Sequence, residues 1–207
     1  MRLTLLRCRS VLTLATALAV GAARGAAADS FIDEQVSKET SGIYRAQDAL
    51  PIALGAVTAG CALLYGSADR FGRTCWKAGE AAVGSYALAK GLQSLTNRES
   101  PEHTDDPSDW NAHGSGSFPS GHVAFTTALV TPFVLEYASE RPWVTALLLL
   151  PAYEMVARVK AREHWQTDVL AGALLGFAVG AIEQRYDGPF ALALLPNGAL
   201  LSYSKAL

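Results

Sequence analysis

The stretch Gly116–Phe125, GSFPSGHVAF, decides how the rest of the chain is read. Polar, turn-forming residues precede it and an apolar run follows, so a helix starts at its PSGH tetrad. The free N–H groups and partial positive charge of a helix start make a seat for an anion. Gly121 lets the backbone approach closely, Ser120 adds a hydroxyl donor, and His122 is a titratable group placed to protonate a departing oxygen. A serine-capped helix with a surface histidine would spell the same four letters, so the tetrad needs a partner elsewhere in the chain.

That partner is ARVKAREHWQTDVLAG, Ala157–Gly172. His164 and Asp168 are four apart and share one helix face. A carboxylate bonded to one imidazole nitrogen fixes the tautomer and makes the other nitrogen a better nucleophile or base. Arg158 lies six before His164, and a turn in the polar segment between them redirects its guanidinium, whose fork matches phosphate oxygens. One histidine attacks and the other protonates, which fits displacement at phosphorus with donors around the transition state. Zinc is the competing chemistry, through His113, His122, His164 and nearby acids. The spacing matches no metal signature, so no metal or other cofactor is assigned. His103 and His113 read as loop residues without a role, and Trp165 as packing at a helix end.

Outward from these motifs the chain reads as helices. Upstream come polar Asp29–Gln47, charge-free apolar Ala49–Gly66 (the best single candidate for a membrane span, though slightly short), a turn over Ser67–Thr74, and a helix over Trp76–Leu95. The polar loop Thr96–Ser117 leads into a helix over His122–Tyr137. A turn at Glu140-Arg141-Pro142 precedes an apolar helix, Trp143–Ala157, then charged Val159–Trp165 and a Gly/Ala-rich helix, Asp168–Ile182, suited to close packing. The end, FALALLPNGALLSYS, holds two apolar runs joined by Pro196-Asn197-Gly198, a hairpin signal. The expected fold is all-α: a helical bundle with its active site where loops 96–117 and 159–167 meet, and a short C-terminal β-hairpin as an option.

The 207 residues, half of them hydrophobic, suffice for one domain with a core, and a net charge of −2 gives no sign of a nucleic-acid partner. Mean hydropathy is +0.19, more apolar than an ordinary soluble domain and less so than a typical multi-span membrane protein. Basic Arg2, Arg7 and Arg9, the apolar run Val11–Ala23 and the small residues Ala26–Ala28 read as a cleaved signal peptide over residues 1–28, leaving one domain over 29–207. An uncleaved anchor is the alternative, but the run is shorter than the ~20 residues of a spanning helix. Cleavage removes four arginines and no acid, leaving 13 basic and 19 acidic side chains, a charge of −6. Cys8 falls in the signal. Cys61 and Cys75 form either a disulfide in an oxidising compartment or two buried free thiols.

PSGH followed by Arg158-x5-His164-x3-Asp168 resembles the type-2 phosphatidic acid phosphatase superfamily, over roughly Leu88–Gly180. Its relatives include bacterial non-specific acid phosphatases, undecaprenyl diphosphate and lipid A phosphatases, and vanadium haloperoxidases. The family pattern opens with Lys-x6-Arg-Pro. Aligned on Pro101, this chain has Gln93 and Ser100 at those two positions, with Lys90 one helical turn earlier and Arg98 two residues before Ser100 as replacements. Ala157 stands where the family has serine.

The resemblance implies a phospho-histidine at His164, oriented by Asp168, and His122 protonating the leaving group. It implies Arg158, Ser120 and Gly121, with Arg98 and Lys90, around the phosphoryl oxygens, and no metal. The implied function is a phosphatase of phosphomonoesters or diphosphates on lipids, at the periplasmic face of the inner membrane. The alternatives are a soluble periplasmic phosphatase acting on small phosphate esters, a catalytically impaired phosphate-binding relative and, further off, a peroxidase using vanadate.

Overall fold

The structure is a computed structural model that describes residues 32–112, 114 and 116–185, and the backbone of 190–195 and 198–203. The expected signal peptide, His113 and the hairpin turn residues Pro196-Asn197 lie outside the described residues. Five α-helices are described: α1 (Ala49–Tyr65), α2 (Arg70–Thr96), α3 (Gly121–Tyr137), α4 (Leu149–Lys160) and α5 (Gln166–Arg185). They are followed by the antiparallel strands β1 (Phe190–Leu195) and β2 (Gly198–Tyr203), paired from Phe190 opposite Tyr203 to Leu195 opposite Gly198. The helical bundle and the hairpin agree with the sequence reading.

Two boundaries differ, each for a local reason. The charges at Asp69 and Arg70, read as turn, instead start α2: the Asp69 carboxylate caps it by accepting the Gly72 N–H at 2.7 Å. The turn before it is tight, since a Cβ on Gly72 would lie 1.9 Å from the Gly66 carbonyl oxygen. The run Trp143–Ala157 is not one α-helix. Pro142–Leu148 is 3-10 helical, and α4 begins at Leu149. Pro151 explains the break: it has no N–H to give an earlier turn, so it fits only the first turn of α4.

Helix α3 is central, packed against α5 and α2, with α1 laid on α2. Its contact with α5 runs backbone to backbone. A Cβ on Gly176 would lie 2.3 Å from the Ala124 carbonyl oxygen, and one on Gly180 2.7 Å from Thr131 Cβ. The core is correspondingly small-residue: Ala78, Ala81, Ala82, Ala89, Ala124 and Ala128 are buried beside Val123 and Val130. Of the two readings of Cys61 and Cys75, the disulfide is the one formed, with Cα atoms 6.0 Å apart across the α1–α2 hairpin. A bridge closing a loop of this size contributes about 3 kcal/mol.

The outer faces stay apolar. Val57, Leu63 and Leu64 on α1 and Leu174 on α5 are each at least 70% exposed. Among the described residues, α5 is the one helix long and apolar enough to cross a membrane. The sequence favoured Ala49–Gly66 instead. As folded, α1 has 17 residues. At 1.5 Å per residue that gives about 26 Å, short of a ~30 Å hydrocarbon core.

Candidate active site

The loops 97–120 and 161–165 meet at one end of the bundle, as expected, and bound a cleft of about 690 Å³. Lys90 and Gln93 on α2, Gly121 and His122 at the start of α3, and Glu163 and His164 before α5 line it. Two hydrogen bonds tie the first loop to the second and to the start of α5: the Ser120 backbone N–H donates to the Asp168 carbonyl at 2.9 Å, and the Trp165 side chain donates Nε1–H to the Glu99 carbonyl at 2.9 Å. Trp165 is 1% exposed, the packing role expected of it.

His164 is held differently from the sequence reading. Its Nδ1 lies 2.8 Å from the Ser117 carbonyl oxygen and 3.7 Å from Asp168 Oδ2. A carbonyl only accepts, so Nδ1 carries the proton and Nε2 keeps its lone pair. The tautomer is therefore fixed by a backbone oxygen, and Asp168 adds negative charge without a direct bond. Asp168 is occupied elsewhere. Its Oδ2 accepts the Trp165 N–H at 2.9 Å, and its Oδ1 accepts Arg98 Nη1 at 2.6 Å.

Arg98, expected around the phosphoryl oxygens, does not line the cleft. It is 2% exposed, and all five of its N–H groups are used. Nε and Nη2 donate to the Pro107 carbonyl at 3.0 and 2.7 Å, Nη1 to Thr167 Oγ1 and Asp168 Oδ1, and Nη2 also to Asp33 Oδ2 at 2.7 Å. Asp33, which the sequence reading missed, also accepts the Thr167 N–H and Oγ1–H at 2.8 and 2.6 Å. A lone acid in a polar N-terminal segment carries no periodic or motif signal. Its partners are 65 and 134 residues away.

Arg158 is 1% exposed and sits behind the cleft wall. Nε faces Glu154 Oε2 at 3.4 Å, Nη1 bonds Glu163, and Nη2 donates to the Gln47 carbonyl and Asp48 Oδ1 at 2.9 and 3.0 Å. One Nη1 hydrogen has no acceptor among the described residues. Burial acts to lower its pKa, but Glu163, Glu154 and Asp48 outweigh it and raise the pKa above the ordinary arginine value. Burial pushes the Glu154 carboxyl up to about 7, against the pull of Arg158. His122 moves the other way, to about 4: burial comes first, then the positive charge of Arg158 and the neighbouring His164. The Ser120 hydroxyl is fully buried and has no hydrogen-bond partner among the described residues. Lys90 Nζ donates to Gln93 Oε1 at 3.0 Å and lies 5.5 Å from the Tyr86 ring centroid. His103, read as a loop residue, stands at the cleft rim beside Ser100 and Glu99.

His122 and His164 thus line one cleft of the helical bundle, one with its tautomer locked, near a buried arginine and a helix start, groups of a kind that can hold an anion. The sequence profile of the PAP2 superfamily matches residues 74–188, over half the chain, and the chain belongs to that superfamily. It is 39% identical over 69 residues to a lipid A 1-phosphatase of Porphyromonas gingivalis, covering 33% of this chain and 16% of that one. It is 30% identical over 111 residues to a decaprenylphosphoryl-5-phosphoribose phosphatase of Mycobacterium tuberculosis, covering 54% of this chain and 60% of that one. The chain thus spans less than two thirds of either relative. A crystal structure of a transmembrane PAP2-type phosphatidylglycerolphosphate phosphatase from Bacillus subtilis aligns with a TM-score of 0.47 at 16% identity, covering 84% of this chain and 94% of that one.

Proposed function

We propose that this chain is a phosphatase that releases phosphate from a phosphomonoester or diphosphate on a lipid, through a phospho-histidine at His164. It acts as one domain over 29–207, exported by residues 1–28, at the periplasmic face of the inner membrane. The observation that carries the reading is the cleft shared by His122 and His164, with His164 Nδ1 committed to the Ser117 carbonyl. That bond leaves Nε2 as the nucleophile. Nε2 bonds to phosphorus as the bond to the leaving oxygen breaks, and His122 gives that oxygen its proton. Water then attacks phosphorus and gives up a proton to His122, the P–N bond breaks, and inorganic phosphate leaves with His164 restored.

The remaining donors bind the phosphoryl oxygens. Ser120 supports this role because an unmade buried hydroxyl bond costs about 1–3 kcal/mol, which an anion in the cleft would relieve. The Gly121 and His122 N–H groups at the start of α3 and Lys90 line the cleft and complete the set, with the second Nη1 hydrogen of Arg158, which has no acceptor among the described residues, offered from behind the wall. Asp168 and Arg98 position the His164 loop rather than touch phosphate. The apolar outer faces and the lipid substrates in the names of the two relatives support a lipid phosphate.

A soluble phosphatase of small esters is the second reading, favoured by the single helix of spanning length among the described residues. The test offers a lipid phosphate in detergent micelles and a soluble aryl phosphate to the purified protein, with EDTA present and His164→Ala alongside. Release that prefers the lipid and vanishes in the variant supports the proposal, and preference for the aryl ester supports the second reading. Binding without release from a wide phosphate panel would support the impaired relative.

A further inference from the structure

We propose that Gln93 is a positioning residue that holds Lys90 over the cleft as the cation the first motif otherwise lacks. The inference rests on the phosphate-handling reading of the cleft and deepens it. Tyr86, Lys90 and Gln93 fall at i, i+4 and i+7 of α2 and so share one helix face. That face meets the start of α3: the Tyr86 and His122 rings are 6.2 Å apart, and a Cβ on Gly121 would lie 3.2 Å from Tyr86 Cε2.

Gln93 is 3% exposed and uses both ends of its amide. Oε1 accepts Lys90 Nζ at 3.0 Å, and Nε2 donates to the Pro119 carbonyl at 2.8 Å. An ammonium only donates and a carbonyl only accepts, so chemistry dictates this amide orientation. Lys90 is itself exposed, and a free lysine side chain would sample many rotamers. The Gln93 carbonyl and the Tyr86 ring, 5.5 Å from Nζ, restrict it to the cleft side. The same amide ties α2 to the PSGH segment, so the cation and the helix-start donors move as one unit. A lysine in place of Gln93 would carry its charge to this spot directly. Here the charge starts one turn earlier and is steered back.

The experiment is a double-mutant cycle on the whole purified protein, reading inorganic phosphate binding by calorimetry and hydrolysis in parallel. Lys90→Gln is expected to weaken phosphate binding about tenfold, a typical charge-assisted bond. Gln93→Met is expected to weaken it several-fold in the wild-type background and distinctly less in Lys90→Gln, where only the tie to Pro119 is lost. The exchange Lys90→Gln/Gln93→Lys is expected to recover most of the affinity, which a merely structural glutamine would not allow; it also decides the matter if Gln93→Met does not fold. Equal losses from Gln93→Met in both backgrounds, or wild-type binding by Lys90→Gln, would overturn the proposal. Lys90-dependent binding without hydrolysis would sink the phosphatase reading and leave this inference standing.

Discussion

Replacing Arg98 tests whether this buried guanidinium braces the loops around Asp168 or binds the anion itself. The sequence put Arg98 around the phosphoryl oxygens; the structure gives all five of its N–H groups to Pro107, Thr167, Asp168 and Asp33. Lysine has three donors and no fork, so Arg98→Lys gives up at least two of these bonds while keeping the charge between Asp33 and Asp168. At roughly 1–2 kcal/mol per bond, the expected loss is about 2–4 kcal/mol. Arg98→Met also strips the charge and leaves two buried carboxylates uncompensated, which costs about 3–5 kcal/mol. Urea denaturation with an unchanged slope reads these losses as a shift in midpoint. Folded Arg98→Lys is expected to bind inorganic phosphate within about twofold of wild type, since a surface-distant swap leaves the cleft donors alone. An unfolding change under about 0.5 kcal/mol with a tenfold loss of phosphate affinity would refute the reasoning and return Arg98 to the ligand set.

Other expectations follow from neighbouring features. With the His122 pKa near 4 in the free protein, its protonated fraction grows as pH falls from 7. The kcat/KM of an alkyl phosphate should therefore rise on the acid side, and a dinitrophenyl ester, whose oxygen needs no proton, should lack that limb. Gly176→Ala forces a Cβ against the Ala124 carbonyl, so melting should show a destabilisation of about 1–3 kcal/mol. Cys61→Ala/Cys75→Ala should lose about 3 kcal/mol, and added reductant should lower the wild-type midpoint without touching the variant.

How much of this was legible depended on how local the signal was. PSGH and Arg158-x5-His164-x3-Asp168 are short fixed spacings whose residue types carry the chemistry, so both histidines could be named from sequence. The bundle followed from apolar runs and the Gly-rich α5, and the hairpin from Asn-Gly. The tautomer of His164 was not legible, because it is set by the backbone carbonyl of Ser117, which any residue would supply. The Asp33–Arg98–Asp168 chain joins three distant segments, and no spacing rule reports such a contact. Gln93 looked like a loss at its own position, and only the fold reveals what its two amide ends hold.

The central claim is the nucleophile, and the most direct test is to trap it. Protein quenched during turnover should carry an acid-labile, alkali-stable phosphoryl group on His164, attached at Nε2, because Nδ1 is engaged by Ser117. Mass spectrometry of the alkaline digest locates the residue, and phosphorus NMR against the two imidazole isomers locates the nitrogen. Attachment at Nδ1, or turnover that persists in His164→Ala with no adduct, would contradict the account.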